Sequence, residues 1–535
     1  MIFLLLACRT SDPKTVADTA IEPEEEVEAA CSANDTMINS TSGCIEGFSY
    51  QEKAMFLGIP YAEPPVGDLR WKRPVPVQPW SDVRIFEELS PACTQDDGVG
   101  GIMGGEDCLT LNVFRPAELE EELPILFFTH GGSFVSGMGS SDIFEASPAL
   151  GTKAIFVTHN YRLGPFGFLA HEAFTAEDAV ENGGVGTSGN LGILDTLMAL
   201  QWVFDNAEAL GGSQENIMVF GESAGGISTC ALLVMPESEG LFSSALIQSA
   251  ACTAISIPID IAEEQGNSYE EALDCAEAED PMSCMREATA EQVMAVDLGS
   301  GLGPGAGFSP NVDGVFIPQA TGSMLYSGDF HDVPIAAGVT ANEGSMFIHY
   351  LGLETETELD ETLREYGSAY GFSDLDTLVS LYSVEEFGGA QAAMDQFYGD
   401  LFFVCPTRLS LDMISFYTPT YAYYYSHVPS WIPAYPELDG WGSYHSSELP
   451  FVFGTYLSYL TAEEQEFSDQ MMNTWVNFAK GEYGADGGGW DLYGQGTSAQ
   501  IDGGKWLSLQ PNDFQMVSGV RKQRCDFMID QWFGQ

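Results

Sequence analysis

The pentapeptide Gly221-Glu222-Ser223-Ala224-Gly225 sets one serine between two glycines. A Gly-x-Ser-x-Gly segment of this kind forms a sharp strand-to-helix turn in which larger side chains at the glycine positions would clash with neighbouring backbone. The turn points the hydroxyl outward and places it at a helix N-terminus, where the peptide dipoles favour negative charge. The chemistry it would serve is acyl transfer, with the serine oxygen attacking a carbonyl carbon once a base has taken its proton. In a chain with 58 glycines the bare pattern is weak. Its context carries the weight: Ile217-Met218-Val219-Phe220 reads as a strand before it, and Ile227 to Val234 as a helix after it.

Acyl transfer also needs donors for the oxygen that becomes negative in the tetrahedral intermediate. His130-Gly131-Gly132-Ser133-Phe134 follows an apolar run, and glycines let backbone N–H groups approach an oxyanion without a side chain in the way. Donors from such a loop would combine with the N–H of the residue after the nucleophile, here Ala224. A glycine turn that merely links strand to loop is the alternative, and it loses ground once Ser223 lies downstream in the expected order.

Alternating elements must position these groups. Pro124 to His130, Ala154 to Thr158, Ile217 to Phe220, Ala245 to Ile247, Val333 to Ala337 and Tyr421 to Tyr425 read as strands. From Ile193 the residues Leu197, Leu200 and Phe204 fall on one helical stripe that Gly211-Gly212 stop. The alternation predicts a mostly parallel sheet flanked by helices, with reactive groups just beyond the carboxyl ends of strands.

The charge balance is extreme: 79 acidic against 18 basic residues, a net charge of −61. That field repels nucleic acid and anionic lipid surfaces, so neither is an expected partner. It also strains the fold by self-repulsion that salt relieves, which suits a saline habitat as well as an ordinary enzyme with a very acidic surface. Eleven cysteines, mostly well separated, fit an oxidising compartment, and no Cys/His cluster suggests a metal. Met1 to Ala7 before Cys8 looks like the end of a bacterial lipoprotein signal, with Cys8 the lipidated residue. Residues 8–30 are acidic and poor in large apolar side chains, so they read as a disordered tether leading to a catalytic domain over 31–535. The expected location is therefore periplasmic, at the cell surface or secreted, with membrane contact only through the lipid. No run approaches the roughly 20 apolar residues of a spanning helix.

From Phe56 to Cys525 the sequence resembles the carboxylesterase type B family, which includes liver-type carboxylesterases, cholinesterases and fungal lipases. The resemblance rests on Phe56 to Ala62 with Arg70-Trp71, on Glu106 to Val113, and on Asn160 to Leu169. It extends through Gly189-Asn190-Leu191-Gly192 with Asp195 and Phe220 to Gly226. It implies the α/β-hydrolase fold with large insertions around the active site, no cofactor, and a small-molecule ester as substrate. It also implies a Ser-Glu-His triad. The acid would be Glu343 in Asn342-Glu343-Gly344, and the base His445 before Ser446-Ser447-Glu448-Leu449-Pro450-Phe451. Where the family has three glycines, this chain has Gly131-Gly132-Ser133, so the Gly132 and Ser133 N–H groups inherit the donor role beneath a narrower space.

The residues support the same roles from below. Of seven histidines, His130 belongs to the glycine loop, His159 and His171 precede Ser223, and His331 precedes Glu343. His349 lies too close to Glu343 in sequence, and His445 sits in a Gly/Trp-rich loop free to reach the serine, with His427 as the alternative. Among the carboxylates Glu343 stands just past a strand, and Asp313 is the runner-up. With a neutral imidazole as base, the rate should fall on acidification through a pKa of about 6 to 7.

The family's usual disulfides map onto Cys93–Cys108, Cys275–Cys284 and Cys405–Cys525. Cys31 and Cys44 make a conceivable fourth, leaving Cys230 and Cys252 as buried thiols. In cholinesterases the loop matching 93–108 carries a tryptophan that binds quaternary ammonium; here it has no aromatic residue, which argues against choline esters. The glycine-rich stretch 299–307 would give an open pocket. Some relatives have lost catalysis and act as surface adhesion modules, but these lack triad groups that this chain retains.

Overall fold

Long apolar runs with no polar alternation demand a sheet buried on both faces, and the chain builds one. Among the described residues, eleven strands join in it: β1 Phe48–Tyr50, β2 Lys53–Pro60, β3 Thr110–Pro116, β4 Leu123–Thr129, β5 Ile155–His159, β6 Gly212–Glu222, β7 Ser244–Gln248, β8 Ile335–Thr340, β9 Thr420–Tyr425, β10 Lys505–Leu509 and β11 Gln515–Ser518. Their spatial order is β11-β10-β9-β8-β7-β6-β4-β5-β3-β2-β1. The strands from β5 through β4, β6, β7, β8 and β9 to β10 pair in parallel, and antiparallel strands finish each edge. The structure is a computed structural model that describes residues 31, 36–50, 52–141, 143–144, 150–296, 307–456, 458–483, 489–494 and 502–533. The expected lipoprotein signal, Cys8 and the acidic tether lie outside the described residues, as does most of the 299–307 stretch.

Alternate residues of the central strands feed two cores. Ile125, Phe127, Ile217, Val219, Ala245 and Ile247 point to one, Leu126, Phe128, Met218, Phe220, Leu246 and Ala336 to the other. The first is covered by helices α1 Leu191–Asp205, α2 Ala224–Val234 and α3 Cys405–Ile414. The second is covered by α4 Ala462–Ala479, which buries Phe467, Met471 and Trp475. No helix among the described residues is long and apolar enough to cross a membrane. This is the mostly parallel, helix-flanked sheet expected from the sequence, and α1 ends where Gly211 takes a left-handed conformation after a short further turn.

Strands β1, β3, β10 and β11 are not apparent from apolar runs, and β2, although it carries Ala54-Met55-Phe56-Leu57, is not among the strands read from the sequence. In β3 the buried positions include Asn112 and Arg115, which break the hydrophobic signal. Asn112 is satisfied inside by the Gly58 N–H at 2.9 Å and by Thr158 Oγ1 at 3.1 Å.

Five disulfides close the described chain: Cys31–Cys44, Cys93–Cys108, Cys230–Cys252, Cys275–Cys284 and Cys405–Cys525. Cys230 and Cys252 are thus bridged rather than free. Cys230 lies on α2 and Cys252 just past β7, and packing of that helix on that strand brings their Cα atoms to 5.1 Å. The bridge is invisible in sequence because tertiary packing, not spacing, creates it. Such a set of bridges suits an oxidising compartment outside the cytosol.

Candidate active site

The turn after β6 has little freedom. A Cβ on Gly225 would lie 1.9 Å from the Thr129 carbonyl oxygen at the end of β4, so only glycine lets the two strand ends meet. Between them Ser223 is held at φ 57° and ψ −123°, a left-handed conformation costly for a side chain by about 1–3 kcal/mol. Its N–H donates to the Gln248 carbonyl at 2.9 Å, which anchors the turn to β7. Helix α2 begins at the next residue, so its dipole points at the serine.

The glycine loop after β4 packs against this turn. A Cβ on Gly131 would lie 2.8 Å from the Glu222 carbonyl oxygen and 3.0 Å from Ser223 Cβ. Ser133 and Phe134 both have positive φ, 54° and 61°, and the loop is pinned by Val135 and Ser136 N–H groups donating to the Gly132 carbonyl. The N–H groups of Gly132, Ser133 and Ala224 have no protein acceptor among the described residues. Ser133, Ser223 and Ala224 line a cavity of about 790 Å³ whose walls include Phe134, Phe168, Ile227, Phe402 and Phe403.

Beyond β8 the chain reverses through Asn342-Glu343-Gly344, and the loop after β9 is stitched onto it. The Asn342 N–H donates to the Ser443 carbonyl at 3.0 Å, and the Ser443 N–H returns a bond to Asn342 Oδ1 at 3.0 Å. Glu343 and His445 are thereby brought together, with 2.6 Å between Glu343 Oε2 and His445 Nδ1, both side chains buried. The other carboxylate oxygen of Glu343 accepts from Ser249 Oγ at 2.7 Å and from the Thr340 N–H at 2.6 Å. Phe347 and Phe403 pack their rings against the imidazole.

The second imidazole nitrogen faces the serine turn. His445 Nε2 has no hydrogen-bond partner among the described residues, and Glu222 Oε1, one residue from Ser223, lies 3.1 Å from it. No hydrogen bond joins Ser223 to His445. Glu222 itself accepts from Ser446 Oγ at 2.7 Å. A third buried carboxylate, Glu448, accepts from Gln248 Nε2 at 3.0 Å. Burial works against a charged imidazole, yet the carboxylates of Glu222 and Glu343 prevail and push His445 up to about 9. Burial and the repulsion of Glu222 and Glu343 push Glu448 up to about 8. The expectation of an imidazole near 6 to 7 is therefore corrected upward, because carboxylates stand against both of its nitrogens.

The rival candidates are engaged elsewhere. His427 bonds Glu464 Oε1 at 2.9 Å, and His349 bonds Asp395 Oδ2 at 2.6 Å. Asp313 accepts from Asn190, from Thr187 and from three consecutive backbone N–H groups, and touches no histidine. Glu222, Ser249, Ser446 and Glu448 are participants that sequence reasoning missed. Glu222 and Ser249 carried a signal, since they stand at the carboxyl ends of β6 and β7.

Beneath the glycine loop two imidazoles are held neutral. His159 stacks on Phe127 with ring centroids 4.6 Å apart, and His130 stacks on Tyr161 at 4.5 Å. Burial pushes His130 down to about 4; burial, and then the nearness of His130, push His159 down to about 3. In the unfolded chain both take protons near pH 6.5, so the stability they confer is whole above that pH and drains as pH falls toward the folded values. Between pH 6.5 and 4.5 each site loses about 2–3 kcal/mol by that linkage. The expected result is that the melting temperature of wild type drops more steeply from pH 7 to 4.5 than that of His159→Phe. Parallel curves in a calorimetric pH series would refute it.

With this geometry in view, the comparisons with known proteins decide the family. The profile of the Carboxylesterase family matches residues 34–528. The chain belongs to the carboxylesterase family. Para-nitrobenzyl esterase of Bacillus subtilis (strain 168) is 31% identical, over 86% of this chain and 93% of its own. The cholinesterase of Mus musculus is 30% identical, over 92% of this chain and 86% of its own. A solved structure of PNB esterase superposes with a TM-score of 0.77 at 28% identity, covering 92% of this chain and all of that one. This carboxylesterase is accordingly a carboxylic ester hydrolase with the α/β-hydrolase fold.

Proposed function

We propose that this carboxylesterase cleaves small-molecule carboxylic esters through an acyl-enzyme on Ser223, with His445 as base and Glu343 as its orienting acid. The observation that carries the reading is the 2.6 Å contact of Glu343 with His445 Nδ1, which leaves Nε2 without a hydrogen bond and beside Glu222, the residue before Ser223. Nε2 takes the Ser223 proton as Oγ attacks the carbonyl carbon. The Gly132, Ser133 and Ala224 N–H groups, with Gly131 packed beside them, receive the oxyanion. The imidazolium then protonates the leaving alcohol, and water repeats the sequence to release the acid. The missing Ser223–His445 hydrogen bond does not oppose this, since such bonds are often long in free enzymes and tighten with substrate.

The name of the Bacillus relative, a para-nitrobenzyl esterase, supports aryl or benzyl esters as substrates. The cavity supports the same class, because aromatic and aliphatic side chains make up much of its wall. For the adhesion alternative, the retained triad residues remain unfavourable.

Hydrolysis of p-nitrophenyl acetate and butyrate tests the reading, and a chain that releases no p-nitrophenol from either overturns it. The pH profile tests the environment of the base. Neighbouring carboxylates stabilise the imidazolium, so the free base appears only at higher pH, and kcat/KM should fall with acid through a pKa above 6.5. In Glu222→Gln one of those charges is gone, and the acid limb should move down by on the order of one pH unit. An unmoved limb would remove Glu222 from the electrostatics of the base.

A further inference from the structure

Charge is distributed unevenly around this site. Of the 18 Lys and Arg residues, only Arg9 and Lys14 fall outside the described residues. Most of the described ones are spent on carboxylates, as in the Arg70–Glu106, Arg162–Asp195 and Arg73–Asp178 pairs. None of the described residues lining the cavity beside Ser223 is a Lys, Arg or His. Among the described lining residues the one ionisable side chain is the exposed carboxylate of Glu264, on the helix Ile259–Ala272. Behind the serine stand the buried carboxylates Glu222, Glu343 and Glu448.

From this we infer that the carboxylesterase selects against charge: its substrates are esters whose acyl and alcohol parts carry no negative group. This rests on the Ser223 reading of the site. Two effects combine. The net charge of −61 lowers the concentration of anions near the protein, a long-range effect that salt screens over about 10 Å at 0.1 M. At the cavity a substrate carboxylate meets Glu264 and loses water, and among the described lining residues it finds neutral donors but no cation to offset that loss. An anionic ester would be received best by an Arg or Lys on this wall, and no described lining residue is one.

The test uses p-nitrophenyl hexanoate, the mono-p-nitrophenyl ester of adipic acid, and the methyl ester of that monoester, with p-nitrophenol release as readout. The adipate chain is the same in the last two, which differ by the methyl cap that removes the charge. At 10 mM NaCl kcat/KM for the methyl-capped ester should exceed that of the free acid by about 100-fold or more. At 1 M NaCl the gap should shrink several-fold through faster turnover of the anion, while hexanoate and the capped ester change little. In Glu264→Lys the gap should narrow further at either salt concentration, a response that a steric barrier would not give. Equal rates of the capped and free esters at 10 mM NaCl, or a faster anion, would overturn charge selection while leaving the esterase reading intact. Failure to turn over any of the three esters would overturn both.

Discussion

Replacing Ser223 by alanine is expected to reduce kcat/KM for p-nitrophenyl butyrate by on the order of 10⁴- to 10⁶-fold, with the melting temperature nearly unchanged. The size follows from what is lost. Without Oγ no acyl-enzyme forms, and the remaining rate comes from the oxyanion donors and binding acting on attack by water. The fold should tolerate the change because the strained backbone at 223 is held by its surroundings. The Ser223 N–H still bonds the Gln248 carbonyl, and Gly225 still meets Thr129. Titration with p-nitrophenyl butyrate, beside a thermal melt, checks both halves. A variant that keeps its melting temperature and more than a few per cent of its activity would move the nucleophile elsewhere.

The second large effect is expected from Glu343→Gln, a change of one atom. Glu343 Oε1 accepts from the Thr340 N–H at 2.6 Å and from Ser249 Oγ at 2.7 Å. The backbone N–H cannot reverse its role, so glutamine must keep its carbonyl oxygen at that position. Its NH₂ then faces His445 Nδ1, which must become an acceptor, and the imidazole proton shifts to Nε2. That is the nitrogen needed as a base, and the wrong tautomer costs on the order of 10³- to 10⁴-fold in kcat. KM should change far less, because Glu343 is buried behind the imidazole rather than on the cavity wall. A loss below tenfold would show that Glu343 does not set the tautomer.

The sequence and the structure agree most where a local requirement is absolute. The turn at Ser223 could be read because strand, paired glycines and helix must occur in that order for the backbone to close. The strands from β4 to β9 could be read because burial on both faces leaves nothing polar in them except at their ends. The environment of the imidazole could not. Glu222 is simply the variable residue of the Gly-x-Ser-x-Gly pattern, and Glu448 lies in a stretch that looks like an ordinary helix start. Only the stitching of the 342 and 443 loops brings His445 within the field of both carboxylates. The Cys230–Cys252 bridge and the polar interior of β3 escaped for the same reason: each is satisfied by a partner distant in sequence.

A reactive Ser223 is the claim on which all the chemistry depends, and covalent labelling tests it most directly. After treatment with a fluorophosphonate probe, mass spectrometry of the digested protein should find one phosphonylated residue, Ser223, formed in step with the loss of esterase activity and absent in His445→Ala. Complete inactivation with the label on another residue, or an unlabelled Ser223 in fully inhibited enzyme, would contradict it.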